Sequence, residues 1–138
     1  METVLIVDDD AGIVRLVAAV LRNSGYAVLE AADGLEALQL AARHPAPIDL
    51  LLSDVQLPGL RGPELCRRVR KQHPETRYLL MSGRVEGLEG LGLALLAKPF
   101  RISDLLRSIR SVLDTSPGQP AEPARRARPP SFSSSSRR

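Results

Sequence analysis

Asp8, Asp9 and Asp10 follow one short apolar run, Asp54 ends another, Ser82 follows a third and Lys98 a fourth. Gathered carboxylates repel. Two unit charges roughly 4 Å apart cost about 4 kcal/mol at an effective dielectric near 20. Such a cluster needs protons or a cation. Hard oxygen ligands suit magnesium, or manganese, held by one or two carboxylates together with phosphate oxygens. A lysine amine nearby adds positive charge for a phosphoryl group. A serine hydroxyl can donate a hydrogen bond to that group, and a carboxylate can attack phosphorus to give an aspartyl phosphate. Singly these residues are ordinary. Asp10 reads as a helix N-cap, Ser82 as a turn residue and Lys98 as a surface lysine. Their chemistry depends on whether the fold brings them together.

The elements that must do so alternate in type. Val4-Leu5-Ile6-Val7 is a short β-branched run, typical of a strand buried on both faces. Ile13, Leu16, Val17, Val20 and Leu21 then recur at helical spacing, and Gly25 stops that helix. Residues 27–31 read as a second strand. Asp33-Gly34 turns into a helix carrying Leu35, Leu38 and Ala42, which ends before Pro45-Ala46-Pro47. Ile48 to Ser53 is a third strand, ending at Asp54. Pro58-Gly59 marks a loop. Gly62-Pro63 opens a third helix, since proline fits the first helical position, and His73-Pro74 closes it. Tyr78 to Met81 and Leu93 to Ala97 read as the last two strands. Ile102, Leu105, Leu106, Ile109, Val112 and Leu113 form one stripe of a final helix. Alternating strands and helices imply an α/β fold with a parallel sheet. Its ligand site lies beyond the carboxyl ends of the strands, and the polar residues above fall there.

Composition narrows the function classes. With 138 residues the chain suits one domain. Aromatics are only 3%, so the core must be aliphatic. Cys66 alone makes neither an internal disulfide nor a zinc cage, and it has no Cys/His pairing nearby. His44 and His73 are isolated residues before prolines. There is no signal-peptide pattern and no apolar stretch of membrane-spanning length, so a cytoplasmic protein is expected. The net charge of +3 belongs to the tail, because residues 1–113 hold 14 Lys/Arg and 14 Asp/Glu. That balance gives the domain itself no DNA-binding character. Residues 1–114 are read as the domain. Residues 115–138 are rich in Pro, Ser and Arg and cannot bury enough surface to offset ordering entropy, so they are read as a disordered tail whose contacts the sequence does not name.

Four stretches carry a family resemblance over about residues 2 to 113: Leu5-Ile6-Val7-Asp8-Asp9-Asp10, Leu51-Leu52-Ser53-Asp54-Val55-Gln56-Leu57-Pro58-Gly59, Met81-Ser82-Gly83 and Ala97-Lys98-Pro99-Phe100. In that order, and at strand ends, they resemble the receiver domain of bacterial response regulators. The resemblance implies a flavodoxin-like, doubly wound five-stranded parallel sheet in order 2-1-3-4-5. It makes Asp54 the phosphoacceptor. Asp8 and Asp9, Asp54 itself and the backbone carbonyl of Gln56 would hold magnesium. Ser82 is the switch hydroxyl, Lys98 contacts the phosphoryl oxygens, and Lys98-Pro99 is a cis peptide. The phosphodonor implied is a phosphohistidine on a histidine kinase or a histidine phosphotransfer protein. Such a receiver assists its own phosphorylation and dephosphorylation without being classed as an enzyme. Gln56 and Arg84, each two positions past a site residue, are the family's places for tuning dephosphorylation.

Two departures fall on the family's output face. Leu95 stands where an aromatic switch residue is usual, three positions before the lysine. The segment between Ser82 and Lys98 is short and carries Gly83, Gly87, Gly90 and Gly92, each costing roughly 1 kcal/mol inside a helix. A reduced, frayed or absent fourth helix is therefore expected. Shortened segments beginning Met-Ser-Gly resemble receivers attached to hybrid histidine kinases, which makes phosphate relay or phosphate sink alternatives to a switch. Two other functions remain open. One is a pseudo-receiver that only binds partners. The other is a haloacid-dehalogenase-like phosphohydrolase, whose motif Asp8-x-Asp10 half satisfies but Gly12 fails.

Overall fold

The computed structural model describes residues 1–84 and 93–115. The elements run β1 (Thr3–Val7), α1 (Ala11–Asn23), β2 (Ala27–Ala31), α2 (Gly34–Arg43), β3 (Leu50–Asp54), α3 (Gly62–Gln72), β4 (Arg77–Ser82), β5 (Ala94–Ala97) and α4 (Ile102–Leu113). The strands pair in parallel in the order β2-β1-β3-β4-β5. This is the flavodoxin-like topology expected from the sequence. The reduced helix expected between the fourth and fifth strands falls on residues 85–92 and lies outside the described residues.

The central strands β1 and β3 carry long apolar runs because both faces of the sheet are covered there, whereas the edge strand β2 is half-buried and contains Glu30. Alternate side chains point to opposite sides. Val4, Ile6, Leu50, Leu52, Leu79 and Met81 pack beneath α1 and α4. Leu5, Val7, Leu51, Leu80 and Leu95 pack against α2 and α3. Each layer is almost wholly aliphatic, with Tyr78 the buried aromatic of the second. No helix among the described residues is long and apolar enough to cross a membrane.

Helix ends follow the local signals. Asp10 caps α1, its carboxylate accepting from the Gly12 and Ile13 N–H groups. Gly25 follows α1 with φ of 96°, a conformation that suits glycine. Pro63 stands in the first turn of α3. The third strand begins later than expected, at Leu50. Before it, the Asp49 carboxylate accepts from the Thr3 N–H at 2.7 Å and Asp49 N–H donates to the Thr3 carbonyl.

Helical facing differs from the expected stripes in three places. Leu16, Leu35 and Ile102 are exposed. α1 turns Val14, Val17, Ala18 and Leu21 inward. α2 turns Gly34, Ala37 and Ala41 inward instead of Leu35 and Ala42. The inward stripe of α2 is the one with small residues, and these let the helix lie close to the sheet and to the β3–α3 loop.

Candidate functional site

The carboxyl edge of the sheet gathers the residues singled out above. β1 ends one residue before Asp8, β3 ends on Asp54 and β4 on Ser82, while Lys98 directly follows β5. β1 and β3 are neighbours in register, with Val7 opposite Ser53. Asp8 and Asp54 therefore come side by side in the middle of the sheet. Asp8 is 1% exposed and Asp54 is 8% exposed, whereas Asp9 is open to solvent.

Lys98 reaches in from the far side. Its Nζ donates to Asp8 Oδ2 at 2.9 Å and to Asp54 Oδ2 at 3.3 Å. One ammonium thus bridges two buried carboxylates, which supplies the cation such a cluster requires. Burial pulls the Lys98 amine down, but the hydrogen bonds and charges of Asp8 and Asp54 outweigh it and hold the amine above its ordinary value. The remaining carboxylate oxygens are steered by backbone. Asp8 Oδ1 accepts from the Asp10 N–H at 2.9 Å, and Asp54 Oδ1 from the Gln56 N–H at 3.1 Å. The Lys98–Pro99 peptide is cis, and Lys98 N–H donates to the Ser82 carbonyl at 2.8 Å.

Asp8, Asp9 and Asp54 each offer a carboxylate oxygen, all within 4.8 Å of one another. An all-oxygen donor set of that size fits a hard divalent cation, and thiolate- or imidazole-loving metals find no ligand there.

Ser82 is buried at the same edge, but its hydroxyl is turned into its own loop. It donates to the Arg84 carbonyl at 2.7 Å and accepts from the Arg84 N–H at 3.0 Å. Leu95 is 3% exposed and lies inside the α2–α3 apolar layer, opposite Leu80. Gln56 is exposed on the loop after Asp54.

Sequence reading missed Gly62 as part of the site's support. A Cβ there would stand 2.7 Å from the Asp54 carbonyl oxygen and 3.0 Å from Val55 Cα. Only glycine lets α3 start so close to the strand end. The Gly62 N–H also donates to the Val55 carbonyl at 3.1 Å, closing the loop. The Gly-Pro pair signalled a helix start, but the approach it permits depends on a packing distance that no local pattern carries.

A doubly wound parallel sheet with clustered aspartates and a lysine at its carboxyl edge defines a CheY-like α/β domain. The model of the response regulator receiver domain matches residues 4–110, and the chain belongs to that family, the receiver domains of two-component signalling. It is 33% identical over 118 residues to sensor kinase CckA of Brucella abortus, covering 81% of this chain and 12% of that one. It is 37% identical over 126 residues to response regulator MprA of Mycobacterium leprae, covering 86% of this chain and 54% of that one. The chain thus spans about half of such regulators and a small part of the kinase. Among solved structures, the receiver domain of hybrid histidine kinase CckA superposes with a TM-score of 0.71 at 38% identity, covering 80% of this chain and 98% of that one. A response regulator from Burkholderia pseudomallei, solved with a phosphorylated aspartic acid, a calcium ion and citrate, gives a TM-score of 0.71 at 26% identity, covering 83% and 68%.

Proposed function

We propose that the chain accepts a phosphoryl group on Asp54, with a divalent cation, magnesium or manganese, held by Asp8, Asp9, Asp54 and the Gln56 backbone carbonyl. The observation that carries this reading is the Lys98 ammonium bridging Asp8 and Asp54 beside a third carboxylate. The phosphorylated aspartate and calcium ion of the Burkholderia pseudomallei regulator support it by likeness.

The donor is a phosphohistidine of a histidine kinase or a phosphotransfer protein, met in the cytoplasm. An Asp54 carboxylate oxygen attacks phosphorus. The new O–P bond forms as the P–N bond breaks, and the electron pair leaves with the imidazole nitrogen. The Gln56 N–H orients the attacking carboxylate through Asp54 Oδ1. Lys98 moves its charge from the bare carboxylate to the phosphoryl oxygens, where preorganised positive charge stabilises the transfer. The cation neutralises phosphoryl charge when bound. Water later attacks the same phosphorus, releasing phosphate and restoring the carboxylate. These steps make the chain a self-assisting acceptor; response regulators are not classed as enzymes.

Phosphate relay or storage fits this chain better than a tyrosine-type switch. Leu95 has no polar tip and is sealed in the apolar layer, so rotating it outward would expose apolar surface for no hydrogen bond in return. We assign residues 1–114 to the phosphoacceptor domain and the remainder to a tail.

The test is intact mass after incubation with a small acyl phosphate and magnesium. A gain of one phosphoryl group is expected, lost in Asp54→Asn and in chelator. No gain in any condition would leave a partner-binding pseudo-receiver. Continuous release of phosphate that depends on Asp8 but survives Asp54→Asn would favour the phosphohydrolase.

A further inference from the structure

Gly34 is the first residue of α2 and is buried, and Leu60 of the β3–α3 loop fills the space beside it. A Cβ at Gly34 would stand 2.9 Å from Leu60 Cβ, 3.1 Å from its Cδ2 and 3.2 Å from its Cγ. The outer atoms could swing away by side-chain rotation. Cβ moves only with the backbone. The contact at Gly34 is therefore with the path of the loop itself.

The other end of that loop is held in the same manner, by Gly62 against the Asp54 carbonyl and Val55 Cα. Residues 55–61 thus run between two close approaches, each permitted by a missing side chain. Within this stretch the Gln56 N–H holds Asp54 Oδ1. The α2 side is the stiffer partner. The Asp33 carboxylate accepts from the Glu36 N–H at 2.8 Å, and Glu36 Oε1 accepts from the Ala32 N–H at 2.8 Å. Crowding at Gly34 therefore displaces the loop before it displaces the helix.

We infer that Gly34 and Leu60 form a lock, remote from the carboxylates, that sets the β3–α3 loop so that Gln56 presents its backbone correctly to Asp54 and to a bound cation. Both are positioning residues. The inference rests on the cation-and-phosphate reading above and adds the device that holds its loop ligand in place. The Gln56 N–H on Asp54 Oδ1 is a hydrogen-bonded support of a proposed ligand, and disturbing such supports typically changes metal affinity by about tenfold or more.

Amide NMR on the full chain tests it in two ways. In the metal-free protein, Gly34→Ala should speed hydrogen exchange at Gln56 and Gly62 while leaving β1 and β3 amides protected. In a magnesium titration read at the Asp9 and Gln56 amides, the same variant should need about tenfold more magnesium for half of the shift change. Leu60→Gly removes the crowding Cβ, so the double variant should bind magnesium as Leu60→Gly alone does. Unchanged loop exchange and an unchanged magnesium midpoint in Gly34→Ala would overturn the lock, because Gly59, with φ of 75°, would then be absorbing the shift. Faster exchange throughout the sheet would overturn it too, marking a merely global loss of stability. Should the unmodified chain show no magnesium-dependent shifts, the cation reading fails, and loop exchange alone still decides the lock.

Discussion

Lys98 neutralises two buried carboxylates that would otherwise face each other unpaired at the carboxyl edge of the sheet. Removing one partner of a buried ion pair leaves uncompensated charge, which costs several kcal/mol when fully buried and less here, since the Lys98 side chain keeps 21% of its surface exposed. Lys98→Met should lower stability in chelator by about 2 kcal/mol. It should also bind a divalent cation more tightly, because a competing ammonium is gone. The rise in melting temperature on adding magnesium should therefore be larger in the variant than in the parent, while phosphoryl uptake slows by roughly a hundredfold. Equal magnesium-induced rises in both proteins would show that Lys98 does not share its site with the cation. A second residue offers a pH handle. Burial raises the Cys66 thiol to about 12, against an ordinary value near 8.5. The unfolded chain then loses this proton first. Stability from the neutral thiol is complete below about pH 8.5 and is lost as pH rises toward the folded value. Tyr78, also raised by burial, acts in the same direction. Denaturant midpoints measured between about pH 8 and pH 10 should fall more steeply in the parent than in Cys66→Ala; parallel falls would rule the thiol out as a contributor.

The elements are tied to the site by close approaches as much as by hydrogen bonds. At Gly62, an added methyl meets backbone on two sides, so neither a rotamer change nor a side-chain shift relieves it. Gly62→Ala should cost about 2 kcal/mol, in the range of overpacked interiors. Urea unfolding would read this as a lower midpoint at unchanged slope. It should also slow phosphorylation, because α3 can retreat only by pulling on Val55 and Asp54. A variant of parental stability would mean that α3 has room to slide along the sheet. The strands themselves were legible: apolar runs such as Val4 to Val7 stop abruptly at polar or charged residues, and that stop placed Asp8, Asp54, Ser82 and Lys98 at one edge. What stayed illegible was tertiary. The Ser82 hydroxyl could point to Asp54 or into its own turn, and only the path to Arg84 decides it. Helix stripes were shifted where small residues faced inward. Gly34, Ala37 and Ala41 look neutral in a hydrophobicity pattern, yet they face the sheet while Leu35 does not.

The whole molecule divides by charge. Residues 1–113 are balanced, and the excess of +3 is carried beyond them. The apolar layers that hold the sheet end at Leu113, and the last described tie is Arg77 Nε donating to the Thr115 carbonyl at 2.6 Å. Nothing in the composition after that point supplies apolar surface to bury, apart from Phe132. A chain ending at Thr115 should therefore melt within about 1 °C of the full chain, given that a loss of ~1 kcal/mol would lower a domain of this size by several degrees. Its phosphoryl uptake on Asp54 should be unchanged. Its behaviour toward polyanions should not be: the five arginines of the tail give attraction that weakens with salt, and the truncated chain should pass a heparin-like resin at low ionic strength while the full chain is retained. Charge and fold then separate cleanly into two parts of the sequence. A drop of several degrees on truncation would instead mean that the arginine-rich stretch packs against the domain. The acidic edge around Asp9 would then be the place for it, since a guanidinium there would compete with the cation proposed for Asp8, Asp9 and Asp54.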